Sequence, residues 1–174
     1  SLLTLLYHQN SQVNVTHKVV KIMKIILVRH GQAEDGTRPD SARQLTDFGQ
    51  KQAAETAEYI TTHYQPDCFV VSPYKRAQQT LAALQLRAPN VPSQIQENIT
   101  PSDDAHQALI DIGNVETECL VVVCHMSIVA HIAGLLTGDY PESFALAEAR
   151  VFEMDFVMTG MATEIDRFVP EQPY

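Results

Sequence analysis

The sequence predicts an α/β protein, a three-layer α/β/α sandwich whose central sheet is mostly parallel and carries an antiparallel edge strand. Three observations predict it. Short apolar runs rich in β-branched residues, MKIILV, DCFVV and CLVVVC, lie at residues 23–28, 67–71 and 119–124. None of them alternates with polar residues, as expected of strands buried on both faces. A stretch of helical period follows each, so strand and helix take turns along the chain, the pattern of a parallel sheet covered by helices.

The elements follow in order. Residues 1–22 lack a clear period and read as an N-terminal extension or tail, leaving one domain over residues 23–174. The first strand stops abruptly at Arg29-His30-Gly31, and a polar loop runs to Arg43. Thr46 is a suitable N-cap for the amphipathic helix DFGQKQAAETAEYITTHY. Pro66 closes that unit before the second strand. Ser72-Pro73 starts the next helix, YKRAQQTLAALQL, with Pro73 suited to a first helical turn. Three prolines between Ala88 and Pro101 leave room for one short strand around Gln94-Ile95. SDDAHQALIDIG reads as a helix capped by Ser102 and ended by Gly113. After the third strong strand, SIVAHIAGLLTG is an apolar helix ended by Gly138, and loose alternation over residues 150–168 offers one or two antiparallel edge strands.

Composition narrows the function classes. A chain of 174 residues suits one globular domain, and 45% hydrophobic with 19% charged residues is a folded composition. Twelve Lys and Arg against 21 Asp and Glu give a net charge of −9. Nucleic acid and anionic membrane are disfavoured as partners, because both select a basic face. Cys68, Cys119 and Cys124 sit in apolar runs and are odd in number, which reads as buried, reduced thiols of a cytoplasmic protein. No stretch approaches the ~20 apolar residues of a membrane span, and the first residues lack a basic start and a signal-type cleavage site.

In open α/β sheets ligands bind beyond the carboxyl ends of the strands. Three strands here end in polar residues at those positions: Arg29-His30-Gly31, Ser72-Pro73 with Arg76 one turn on, and Cys124-His125. Two histidines and two arginines, distant in sequence, can therefore converge on one crevice. In an acidic protein that is a local positive focus suited to phosphate, since guanidinium groups match phosphate oxygens two at a time.

These residues resemble the histidine phosphatase superfamily, which includes the phosphoglycerate mutases. VRHG at residues 28–31 is similar to its R-H-G signature, and QLTDFGQKQA at 44–53 to its L-T-x-x-G-x-x-Q-A helix entry. SPYKRAQQT at 72–80 resembles its S-P-x-x-R-A-x-Q-T element, and VVVCHMSIV the strand that carries the second histidine. The resemblance implies a catalytic His30 that becomes phosphorylated, with Arg29, Arg76 and His125 binding the phosphoryl group. It also implies no metal and no other cofactor. A histidine with an ordinary pKa of ~6.5 is largely neutral near pH 7, and neighbouring cations favour that nucleophilic form.

Length selects a branch. Between Arg76 and His125 there is no room for the helical lid of the mutases, so the site is expected to be open and shallow. The short chain, the missing lid and R-x-L-T at residues 43–46 resemble the small SixA-type phosphohistidine phosphatases. That implies a phosphohistidine-bearing protein as substrate, a phosphotransfer domain or phosphocarrier of a bacterial phosphorelay, with inorganic phosphate as product. Glu97, in IQENITP, is a candidate proton donor, and Arg43 a candidate substrate-side residue. Gln32 and Ala33 replace a hydroxyl common after R-H-G in larger members. Two other readings stand beside this one: a general phosphomonoesterase for small molecules, and a non-catalytic phosphate-binding module. A cysteine phosphatase needs Arg six positions after its Cys, yet Cys119 is followed there by His125 and Cys124 by Ala130. No H-x-H or H-E-x-x-H step suggests a metal site.

Overall fold

The computed structural model describes residues 22–36 and 38–174, so the expectation of an N-terminal extension falls, except for Ile22, outside the described residues. Six strands, β1 (Met23–Arg29), β2 (Cys68–Val71), β3 (Ser93–Ile95), β4 (Cys119–Cys124), β5 (Ala149–Met154) and β6 (Thr163–Phe168), form one sheet in the order β3-β2-β4-β1-β5-β6. The first four in that order run parallel. Two antiparallel strands complete the β5–β6 edge, the upper of the one or two expected there.

Strand residues alternate between two cores. Ile25 and Leu27 of β1 face one with Val70, Leu120 and Val122, while Ile26 and Val28 face the other with Phe69, Val71 and Val121. That explains why these strands are apolar throughout. Helices α1 (Asp47–His63) and α2 (Lys75–Arg87) cover one face, and α3 (Ala105–Gly113) and α4 (Ile128–Thr137) the other. Chirality decides this division. Steps β1 to β2 and β2 to β3 move one way across the sheet and β3 to β4 moves back, so right-handed crossovers put the connecting helices on opposite faces.

The helix signals hold at several ends. The Thr46 side chain accepts from Gly49 N at 3.0 Å, and Gly138 ends α4 with φ of 79°. Two expectations are corrected. Asp104, not Ser102, caps α3, because Asp103 is engaged upstream in a turn with Thr100; Asp104 accepts from the His106 amide, so the chain's one D-x-H step serves a cap. Pro73 lies before α2 and not in its first turn; Ser72 Oγ accepts from Tyr74 N, and helical geometry begins at Lys75. Cys68, Cys119 and Cys124 are free and buried, and burial pushes the Cys124 thiol up to about 12. No helix among the described residues is long and apolar enough to cross a membrane.

Candidate active site

β1 and β4 are neighbours, but the chain leaves β1 toward α1 on one face and β4 toward α4 on the other. That divergence opens a crevice at their carboxyl ends. Register aligns Arg29 with Cys124, and His30 N donates to Cys124 O at 3.0 Å. The next residue on each strand is then a histidine, and the ring centroids of His30 and His125 lie 5.2 Å apart, close to one strand spacing. β2 flanks β4 on its other side and delivers Ser72, whose Oγ is 2.7 Å from His125 Nε2.

The motif glycines have a steric cause. A Cβ on Gly49 would come within 2.0 Å of Gln32 O, and one on Gly31 within 2.6 Å of Gly49 O. The loop after β1 therefore rests backbone to backbone on the first turn of α1. Side chains lock this contact: Thr80 Oγ1 accepts from Gly31 N, Gln52 Oε1 from Gln32 N, and Gln79 Oε1 from Leu45 N. Gln79 and Thr80 are thus packing residues on the helix face that also tie three motifs together.

His30 has a defined tautomer. Its Nδ1 lies 2.7 Å from Gly31 O, which can only accept, so Nδ1 carries the hydrogen. Nε2 is then a bare lone pair, and Arg76 Nε donates to it at 3.2 Å. Burial, with His30 8% exposed, pushes this imidazole down to about 3, and the charges of Arg76, Arg29 and Arg43 push the same way. His125, 0% exposed, is likewise driven to about 3, by burial first and then by its neighbours. Neutrality comes chiefly from burial, with the cations second.

Arg76 is 4% exposed, and its Nη1 donates to Asp40 O at 2.6 Å and its Nη2 to Asp40 Oδ2 at 3.3 Å. Arg43 Nη1 donates to the same carboxylate at 2.9 Å. The hydrogen bond from Arg43 holds the Asp40 carboxyl below its usual range, with the Arg76 charge adding. Arg29 Nη1 donates to Phe144 O at 2.7 Å. Burial lowers the Arg29 pKa, opposed by Tyr174 and Glu148, but a guanidinium stays charged at any ordinary pH.

His30, His125 and Arg76 thus stand together, with Arg29 close enough for its charge to act on both rings. Arg43 reaches the group through Asp40. Glu97 does not join it: it is exposed on the turn after β3, and among the described residues no ion pair links it to a histidine or arginine. The expected open, shallow hollow is corrected as well. A lid is missing, yet the loop between β1 and α1 brings Asp40 onto Arg76, and the rings are nearly enclosed. Asp40 escaped the sequence reading because its loop has no period; its spacing of three from Arg43 was the available signal.

Among the described residues, two buried side-chain polar atoms lack a hydrogen-bond partner, Arg29 Nε and His125 Nδ1. Ser72 Oγ can give its own hydrogen to His125 Nε2 while accepting from Tyr74 N, which makes Nδ1 a second unpartnered donor. A buried orphan donor costs ~1–3 kcal/mol. One of these donors belongs to the Arg29 guanidinium and the other to His125; with the Arg76 guanidinium they offer hydrogen bonds of the kind a small anion with several acceptor oxygens can take, and the unprotonated Nε2 of His30 offers a lone pair in the same cluster. Among the described residues no group of three or more His, Cys, Asp or Glu side chains is disposed to hold a metal ion.

Comparison with known proteins agrees with this geometry. The family model for the histidine phosphatase superfamily (branch 1) matches residues 25–100. A Haemophilus influenzae protein described as a phosphohistidine phosphatase SixA homolog is 33% identical over 142 residues, 71% of this chain and 86% of the relative. The solved structure of the protein histidine phosphatase SixA complexed with tungstate superposes with a TM-score of 0.76 at 24% identity, over 85% of this chain and 97% of that one. A mycobacterial glucosyl-3-phosphoglycerate phosphatase shares the fold, with a TM-score of 0.68 at 14% identity over 86% of this chain and 100% of its own. The convergent pocket, the four ordered motifs and these likenesses lead to one conclusion: the chain belongs to the histidine phosphatase superfamily and is SixA-like within it.

Proposed function

We propose that the chain removes the phosphoryl group from a phosphohistidine side chain of another protein, through a covalent intermediate on Nε2 of His30. The observation that carries this reading is the pair of buried donors without protein partners, Arg29 Nε and His125 Nδ1, beside a histidine whose Nε2 is unprotonated. A bound phosphoryl group takes hydrogen bonds from those two donors and from Arg76. His30 Nε2 then attacks phosphorus in line, and the P–N bond of the substrate breaks with its electron pair returning to the leaving imidazole, which takes a proton from solvent. Water next attacks the phosphorus on His30, inorganic phosphate leaves, and Nε2 recovers its lone pair. Arginines and imidazoles contribute positioning and charge stabilisation, the terms that dominate phosphoryl transfer.

Substrate class follows from the acid available. The carboxylate touching the site is Asp40, and Arg43 and Arg76 hold it ionised, so it is a poor proton donor at neutral pH. Glu97 is not in contact. An imidazole leaves with little acid help whereas an alkoxide needs it, which favours phosphohistidine over alkyl phosphates. By the same reading the partner is a phosphotransfer domain or phosphocarrier, the compartment is the cytoplasm, and catalysis uses no metal.

Rapid quenching with a ³²P-labelled phosphohistidine protein and with a simple ³²P phosphate ester tests this. Label is expected on the wild type and on His125→Ala but not on His30→Ala, with much faster transfer from the phosphohistidine protein. Equal labelling of His30→Ala would overturn the mechanism, and faster turnover of the ester would overturn the substrate class.

A further inference from the structure

Two charged residues with no place in that reaction are buried beside it: Glu148 is 3% exposed and Arg150, on β5, is 2% exposed. They pair through Arg150 Nε and Glu148 Oε2. Arg150 reaches further. Its Nη1 donates to Glu142 O at 3.1 Å, its Nη2 to Ser143 O at 2.7 Å, and its guanidinium lies 3.8 Å over the Phe144 ring. Glu148 Oε1 accepts from Ala145 N at 3.0 Å. Residues 142, 143 and 145 are thus gripped on either side of Phe144, whose amide donates to Met126 Sδ. The remaining polar group of that residue, its carbonyl oxygen, accepts from Arg29 Nη1. Arg29 N also donates to Glu148 O, and Ala147 N to His30 O, so residues 142–148 hold the backbone of both site residues. This segment has no helix or strand of its own to hold its shape.

We propose that the Arg150–Glu148 pair is a positioning device for Arg29: by shaping residues 142–148 it aims the Phe144 carbonyl, and that carbonyl sets the guanidinium of Arg29 toward the anion. Arg150 contacts neither His30 nor His125 and acts through Arg29. Lysine at 150 keeps the charge but cannot reach two carbonyls, a carboxylate and a ring face at once, because it lacks the planar fork. The inference rests on the reading that Arg29 grips the phosphoryl group.

Calorimetric titration of the full chain with orthovanadate, a phosphoryl analogue, tests both levels. Arg150→Lys is expected to raise the dissociation constant about tenfold through the displaced guanidinium, with one site per folded molecule retained. Glu148→Gln keeps an acceptor for Ala145 but turns its amide NH2 onto Arg150 Nε, so the ion pair and its hydrogen bond are lost together; it tests the same link should Arg150→Lys fold poorly and is expected to weaken binding several-fold. In an Arg29→Ala background, Arg150→Lys is expected to add nothing. A merely structural role would lower the melting temperature and the number of sites without moving the dissociation constant, and that result overturns the proposal. So does additivity with Arg29→Ala. If Arg29→Ala itself leaves orthovanadate affinity unchanged, the underlying reading of Arg29 falls; if it weakens binding while both pair variants do not, the positioning role alone falls.

Discussion

Acid should loosen this protein through its two site histidines. Both have pKa values pushed down to about 3, against ~6.5 in an unfolded chain. Below pH 6.5 the unfolded chain takes up two protons that the folded chain refuses. Stability from this source is therefore fully present above about pH 6.5 and drains away as pH falls toward 3. At pH 5 the loss is about 2 kcal/mol for each ring and about 4 kcal/mol for both, a large share of the ~5–15 kcal/mol that holds a typical domain folded. Urea denaturation at pH 7.5, 6 and 5 would measure it in the wild type, His30→Asn, His125→Asn and the double variant. Each single substitution is expected to recover about 2 kcal/mol of the drop between pH 7.5 and 5. The double variant should fall slightly short of the sum, because His30 itself helps depress His125. Acid loss from carboxylates such as Asp40 and Asp166 is common to all four proteins and cancels, apart from the part of Asp40 that faces His125. Parallel pH profiles for wild type and variants would show that the rings are not held neutral by burial.

Other outcomes can be read more quickly. Asp40→Asn removes a carboxylate that competes for Arg76, so orthovanadate binding should tighten about two- to fivefold, the scale of a partly exposed ion pair; weaker binding would mean that Asp40 orients Arg76 instead. Gly49→Ala should destabilise the fold by about 2 kcal/mol in thermal melts despite alanine's better helix propensity, since the new methyl meets the Gln32 carbonyl; unchanged stability would refute the close backbone contact. Phosphatase activity should survive EDTA, and its loss on chelation would refute metal-independent transfer.

Much of the fold was legible. β4 spans the whole of CLVVVC because a strand between two cores must be apolar at every position, and Thr46 and Gly138 mark helix ends by local hydrogen bonding and backbone conformation. Local reading failed where two neighbours could do one job, as with Ser102 and Asp104, and where a side chain's partner was remote, as with Ser72 and His125. Glu148 and Arg150 did carry a signal, two charges two residues apart entering an apolar strand, but nothing local says what they grip.

The order of residues along the chain determined which side chains end each strand or follow it within a turn or two, and with them the groups available: two imidazoles and two guanidinium groups. Strand period, capping and turn chemistry are interactions over a few residues, so one dimension suffices to read them. Only the tertiary structure decided that β4 lies between β1 and β2, that Asp40 closes onto Arg76, and that burial, ahead of the neighbouring charges, keeps His30 neutral. Desolvation and orphaned donors depend on everything packed around a group, and that surrounding comes into being only when the sheet assembles.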